Sequence, residues 1–295
     1  MTSRFQTLIL REWMQHKRGW LISLFLPQLL FLALLPIGQA HGLPDISPLA
    51  AALLFILVST GAVTAIVWLS AMFQLPGLAR RDVQDRSIEF WLSLPASHSE
   101  SIGATVLTHA LLVPLAAVLV GCLSGFIVAA ALILKIGGLV ALAEVPWLAV
   151  VASSTPLLLL NLLGVLLATA WLAPLMLIPM AASAWLKRWG VPVVLLTYGI
   201  GGLVLDKVYG NHLVWDLVDQ QFEGAKTALP NIQDLIQQAG PALHSPDAGG
   251  FSLAAWSMHD AQASLAALAS PHFIGGLIVA ALCFGLLVLK RMRTV

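Results

Sequence analysis

Charged residues make up only 10% of this 295-residue chain, while 59% are hydrophobic. A surface that faces water needs about 25% charged residues, so the composition excludes an ordinary soluble domain and implies a chain embedded in lipid. Cysteine is nearly absent. Cys122 and Cys283 lie far apart inside apolar runs, which supports neither a disulfide framework nor a cysteine metal motif and leaves both as small packing residues. Phosphate-cradling Gly-x-x-x-x-Gly-Lys-Ser/Thr and Gly-x-Gly-x-x-Gly loops are missing, so ATP is not bound by those means. The eight histidines form no His-x-x-x-His or His-x-x-Glu-His array, and a metalloenzyme site finds little support. His109 is expected to be a helix-contact residue rather than a catalyst, because the spans offer it no acid or base partner. No small-residue cleavage site follows the first apolar run, and a removable signal peptide is not expected.

What the chain has is long apolar runs. A helix needs roughly 20 apolar residues to cross a bilayer, and the runs are continuous rather than alternating, which selects helices over a barrel. Six spans are expected, at 20–38, 49–74, 102–134, 155–186, 191–205 and 271–289. Pro27, Pro114, Pro174, Pro179 and Pro192 fall within them and are tolerable where neighbouring helices satisfy the freed backbone groups. A further apolar stretch, 136–154, carries Glu144 and Pro146 near its middle. A carboxylate at the bilayer centre costs about 3 kcal/mol, so this stretch reads as interfacial or re-entrant, not as a seventh span.

The distribution of charge agrees with six spans. With a cytoplasmic N-terminus, twelve of the fifteen Lys and Arg residues fall inside together with five acids, a balance of +7, and three basic residues with nine acids fall outside, a balance of −6. The spans themselves are almost free of ionisable side chains. Ion-coupled carriers place such groups at depth, so the pattern favours a device whose energy arrives from outside the membrane domain. Gly121-Cys122-Leu123-Ser124-Gly125 adds a small-x-x-x-small pattern that permits close helix approach.

The expected fold is an all-α membrane protein with both termini cytoplasmic. Residues 1–19 place Phe5, Leu8, Ile9, Glu12 and Trp13 at spacings of three and four, an amphipathic elbow helix in the membrane interface; the alternative is a cytoplasmic extension of the first span. Residues 20–205 hold spans one to five and a cytoplasmic segment at 75–101. Residues 206–270 form an outer loop of short helices, and 271–295 the last span with a basic tail. In 75–101, the charges of Arg80, Arg81, Asp85, Arg86 and Glu89 run into Phe90 and Trp91, a combination that suits a protein interface or a membrane-interface anchor equally. Ser59, Thr60, Thr64, Thr197 and Tyr198 are candidates to line a pathway, while Ser and Thr in spans more often hydrogen-bond locally.

The run Asp85-Arg86-Ser87-Ile88-Glu89-Phe90-Trp91-Leu92-Ser93-Leu94-Pro95-Ala96-Ser97, with Arg11-Glu12-Trp13-Met14-Gln15-His16-Lys17-Arg18 before the first span, resembles the type-2 ABC transporter permease family. In such permeases an Asp-Arg-Ser-Ile-x-Phe-Trp-x-Ser-Leu-Pro stretch follows the second span. Two positions depart from the pattern: Glu89 stands where the branch is often apolar, and Leu92 where it is often basic. The resemblance implies a multi-pass subunit of the bacterial inner membrane and an exporter-type complex. It also implies a second permease copy, as homodimer or heterodimer, and two copies of a separate ATPase subunit that binds ATP and Mg. The permease itself would bind no cofactor, perform no catalysis and contact no nucleic acid. Segment 79–97 would seat on the ATPase, with Arg80, Arg81, Asp85, Arg86, Glu89, Phe90 and Trp91 near the contact. The alternative expectation is a non-transporting membrane scaffold or assembly factor that docks some other cytoplasmic partner.

Overall fold

The computed structural model describes residues 4–39, 46–84, 97–244 and 252–293, and among them every regular element is helical. Helix α1 (Arg4–Leu34) is followed by α2 (Pro48–Gln84). Helix α3 (His98–Leu107) passes through a π-helical turn, Thr108–Leu112, into α4 (Val113–Glu144). Then come α5 (Trp147–Leu186), a 3-10 turn Lys187–Trp189, α6 (Gly190–Leu196), a second π turn Thr197–Gly201 and α7 (Gly202–Tyr209). Helices α8 (Leu213–Ala228), α9 (Ile232–His244) and α10 (Leu253–Ala266) lead to α11 (Pro271–Met292). Five stretches are long and apolar enough to cross a membrane: Arg4–Leu34, Pro48–Arg81, His98–Glu144, Trp147–Tyr209 and Pro271–Met292.

Three features differ from or refine the sequence expectation. No break separates residues 4–19 from the first span, because α1 is one helix of 31 residues. Leu8, Arg11 and Glu12 are buried, so protein covers the inward face of that segment. The stretch 136–154 divides at Gly138, whose φ of 72° bends α4. The helix then ends at Glu144, and after two intervening residues α5 begins at Trp147. Finally, the 63-residue stretch Trp147–Tyr209 is interrupted at Lys187, where φ is 56°. A Cβ on Gly190 would overlap the backbone of Ser183. Seven residues along a continuous helix would separate these positions by about 10 Å, so the chain folds back on itself here.

Close backbone approach organises the bundle. A Cβ on Gly121 would lie 2.8 Å from Thr60 Cα, and one on Gly125 3.0 Å from Ile56 Cα, so the two glycines let α4 rest directly on α2. Gln28 Nε2 donates to Ser124 Oγ at 3.2 Å and fastens α1 to the same face. Pro114 has no N–H for the carbonyl four residues back, Ala110, and that oxygen instead accepts from Thr169 Oγ1 of α5 at 3.1 Å. The largest apolar cluster joins α5 to α2, α8 and α11 through Leu75, Trp171, Met176, Ala225 and Leu287, with Trp171 and Phe273 ring centroids 5.0 Å apart. Cys122 and Cys283 are free thiols packed in apolar clusters.

The polar ends are sorted. Trp185 Nε1 donates to Leu286 O at 3.2 Å, and Lys290 and Arg293 lie 5.2 Å and 5.8 Å from the Trp185 ring centroid. The end of α5 that carries Lys187 and Arg188 therefore stands beside the basic end of α11. Elsewhere, Lys135 Nζ donates to Pro36 O at 3.2 Å and ties the far ends of α1 and α4 together.

Candidate functional site

The best-defined polar site is centred on Glu12, a carboxylate of 0% exposure. Four stretches of chain supply its neighbours. Arg11 donates to Oε1 from the adjacent position in α1. Arg81, in the last turn of α2, grips both oxygens, with Nη2 2.9 Å from Oε1 and Nη1 3.1 Å from Oε2. This is the bidentate fork for which guanidinium is shaped. From α3, Thr105 Oγ1 donates to Oε1 at 3.0 Å and has Ser101 O as a second acceptor at 3.2 Å. His109 Nε2, in the π turn, lies 3.5 Å from Oε2, and His16 Nδ1, one turn along α1, lies 3.7 Å from it. His16 Nδ1 also sits 3.2 Å from the Glu12 carbonyl oxygen.

An aromatic wall closes one side. His16 and His109 meet edge to face with centroids 4.7 Å apart, and Trp20 packs on His16 at 5.7 Å and on His109 at 5.0 Å. The π turn positions His109: a wider helical turn next to Pro114 re-aims a side chain that a regular helix would direct elsewhere.

Glu12, His16 and His109 offer ligand atoms within 4.8 Å of one another, a set of the right chemical types for zinc. The guanidinium groups of Arg11 and Arg81 already neutralise the carboxylate, and donors occupy both of its oxygens. A divalent cation added there would face two buried positive charges across a few ångströms. The arrangement is that of a cross-brace, holding the first turns of α1, the end of α2 and the end of α3 in one geometry. His109 also lines a small cavity with Trp20, Ser23, Val67, Ser70, Ala71, Gln74 and Val113.

The sequence-derived candidates are distributed unevenly around this brace. Glu12 and Leu8 point inward, Phe5 and Ile9 are half-buried, and Trp13 is 41% exposed beside an apolar groove. Arg81 belongs to the brace and Arg80 is half-buried next to it in α2. Asp85, Arg86, Glu89, Phe90 and Trp91 lie outside the described residues. Segment 97–100 is a capping box at the start of α3: Glu100 N–H donates to Ser97 Oγ at 3.1 Å and Ser97 N–H to Glu100 Oε2 at 2.7 Å. These bonds hold the Glu100 carboxyl below its ordinary pKa.

The pathway candidates differ in burial. Ser59, Thr60 and Thr64 are buried; Thr60 Oγ1 donates to Ile56 O at 2.7 Å, the local use that span hydroxyls commonly have. Thr197 is exposed, and Tyr198 packs edge to face on Trp215 with centroids 4.9 Å apart. His109 was expected to be a contact residue, and it is one, but its acidic neighbour Glu12 lies 97 positions earlier and no local pattern announces the pairing.

In 206–270, Asp234 accepts from Trp256 Nε1 at 2.7 Å and from Gln238, which lowers its pKa. Burial pushes the carboxyl of Asp260 above its ordinary value of 3.8. Compared with known protein families, curated proteins and solved structures, the chain matches no family model, no curated protein and no solved structure.

Proposed function

We propose that the chain is the membrane subunit of an exporter-type ABC transporter, driven by separate ATPase subunits on the cytoplasmic side. The observation that carries the reading is the Glu12 brace, taken with the sequence that follows it. Arg81 lies four residues before the Asp85-Arg86-Ser87-Ile88-Glu89-Phe90-Trp91 run that resembles the permease family, and it is clamped to α1 and α3. A push delivered to 79–97 then moves the first three long helices as a unit, since the brace allows no independent shift of α2.

In this reading Trp147–Tyr209 supplies two spans, one on each side of the reversal at Lys187. The second part, 190–209, has 20 residues and a helical length of about 30 Å, enough to cross a bilayer. That gives six spans with both termini in the cytoplasm, an inner face of +7 and a two-copy assembly in the inner membrane. The sparse charge within the spans fits a pathway powered from outside.

The test is reconstitution. Expressed with its cognate ATPase, the chain is expected to co-purify with that subunit and to raise its hydrolysis rate in vesicles. Replacing Glu89 and Trp91 together by alanine is expected to remove the stimulation while membrane insertion persists. A chain that co-purifies with no ATPase and instead retains a different cytoplasmic partner is a scaffold, and the proposal falls.

A further inference from the structure

Helices α1 and α4 do not close against each other along their whole length. Between them, and reaching the π turn, runs an apolar groove of about 440 Å³, within the size range that accommodates a small-molecule ligand. Its α1 wall is Ile9, Leu10, Trp13, Trp20 and Leu24, and its opposite wall includes Leu112, Val113 and Ala116. Leu10 is 54% exposed, so the groove lies open at the side of the bundle.

The charge along this side of α1 is of one sign. Lys17 follows Trp13 by four residues and precedes Trp20 by three, which puts it on the groove face of the helix. Lys17 and Arg18 are exposed and have no ion-pair partner among the described residues. The only acid in α1, Glu12, is buried and already neutralised by Arg11 and Arg81. Exposed tryptophan beside a free lysine is the combination found where a helix passes the headgroup layer. An apolar slot opening beside two unpaired cations therefore complements a molecule with a hydrocarbon chain and a negative head.

We propose that this groove holds one acyl chain of an anionic phospholipid, with its phosphate at Lys17. Zwitterionic lipid fills the slot less well because its headgroup carries no net charge to offset the lysine. Trp20 forms part of the groove wall and packs on His16 and His109 of the Glu12 brace, so the bound chain presses on the same cross-brace that ties α1 to α2 and α3. The inference depends on a membrane location and stands whether or not the chain is a permease.

The experiment uses the full chain in phosphatidylcholine vesicles that contain either phosphatidylglycerol or phosphatidylcholine with brominated acyl chains, since bromine quenches tryptophan on contact. At equal mole fraction, brominated phosphatidylglycerol is expected to quench more, and the excess is expected to shrink in Trp13→Phe, leaving only the share of Trp20. Lys17→Gln is expected to lower the preference for the anionic lipid about fivefold, the factor one surface lysine contributes towards an anionic membrane. Ala116→Phe, which fills the slot, is expected to abolish the excess. Equal quenching by the two lipids overturns the proposal, as does an excess that survives both Lys17→Gln and Ala116→Phe. So does a groove that neither lipid reaches because a second copy of the chain covers it. Lys17 is exposed, so its substitution reports on binding without threatening the fold.

Discussion

Glu12→Ala is the sharpest perturbation available. It removes the carboxylate that Arg11, Arg81 and Thr105 share from beside two guanidinium groups that are 8% and 16% exposed. Removing one partner of a buried ion pair typically destabilises by about 3–5 kcal/mol, most of it the penalty of the stranded charge. Glu12 serves two arginines and a hydroxyl, so the upper part of that range is expected. Glu12→Gln keeps the shape and one acceptor, and is expected to be milder by about 1–2 kcal/mol, since one hydrogen-bond acceptor for Arg81 survives. Arg81→Met leaves Glu12 with Arg11, Thr105 and the histidines, and is expected to cost less than Glu12→Ala. The pair Glu12→Leu with Arg81→Met is expected to recover part of the loss, because an apolar pair of similar size carries no desolvation penalty. The assay is reversible unfolding of the purified protein in mixed detergent micelles, followed by a double-mutant cycle. A Glu12→Ala variant within about 0.5 kcal/mol of the parent, the range of ordinary surface substitutions, would refute the brace.

Other expectations concern packing, capping and pH. Gly121→Ala puts a methyl group against the Thr60 backbone and is expected to destabilise by about 1–3 kcal/mol, whereas Gly285→Ala, which meets nothing within 4 Å, is expected to be neutral or to stabilise by up to about 1 kcal/mol; thermal melts in detergent separate the two. Ser97→Ala removes the capping box of α3 and is expected to cost about 1 kcal/mol, visible as faster proteolysis at 97–107. Asp260 has a raised pKa, so its neutral form is favoured in the folded state, and its stabilising share is present below pH 3.8 and lost as pH rises through the folded-state value. Asp260→Asn is therefore expected to raise stability near pH 7 and to leave it unchanged near pH 3, and equal effects at both would remove burial as the cause.

The helices were legible in the sequence because apolar runs of this length have few other uses, and the Gly121-x-x-x-Gly125 spacing correctly marked a close helix contact. The reversal at Lys187 was legible through the charge pair Lys187-Arg188. Two features were hidden. The segment 4–19 has the periodicity of an interfacial helix, and periodicity does not say whether lipid or protein covers the apolar face; here protein covers it at Leu8 and Glu12. The brace was invisible for a different reason. Arg81, Thr105 and His109 are 69, 93 and 97 positions from Glu12 in the chain, so in a count of charges by side Glu12 was simply one inner acid among five. Ser59, Thr60 and Thr64 are buried in the bundle, and Gly121 of α4 brings its backbone directly onto Thr60.

The central claim is that an external ATPase drives this chain through the segment after Arg81. The measurement that addresses it most directly is ATP hydrolysis by the partner ATPase, co-expressed and reconstituted with the chain in vesicles, comparing the parent with Glu89→Ala/Trp91→Ala and with Glu12→Gln. The account predicts stimulated hydrolysis with the parent, none with the double variant, and weakened stimulation with Glu12→Gln while the complex stays assembled. Hydrolysis that is the same with and without the chain, or unchanged by all three substitutions, would contradict it.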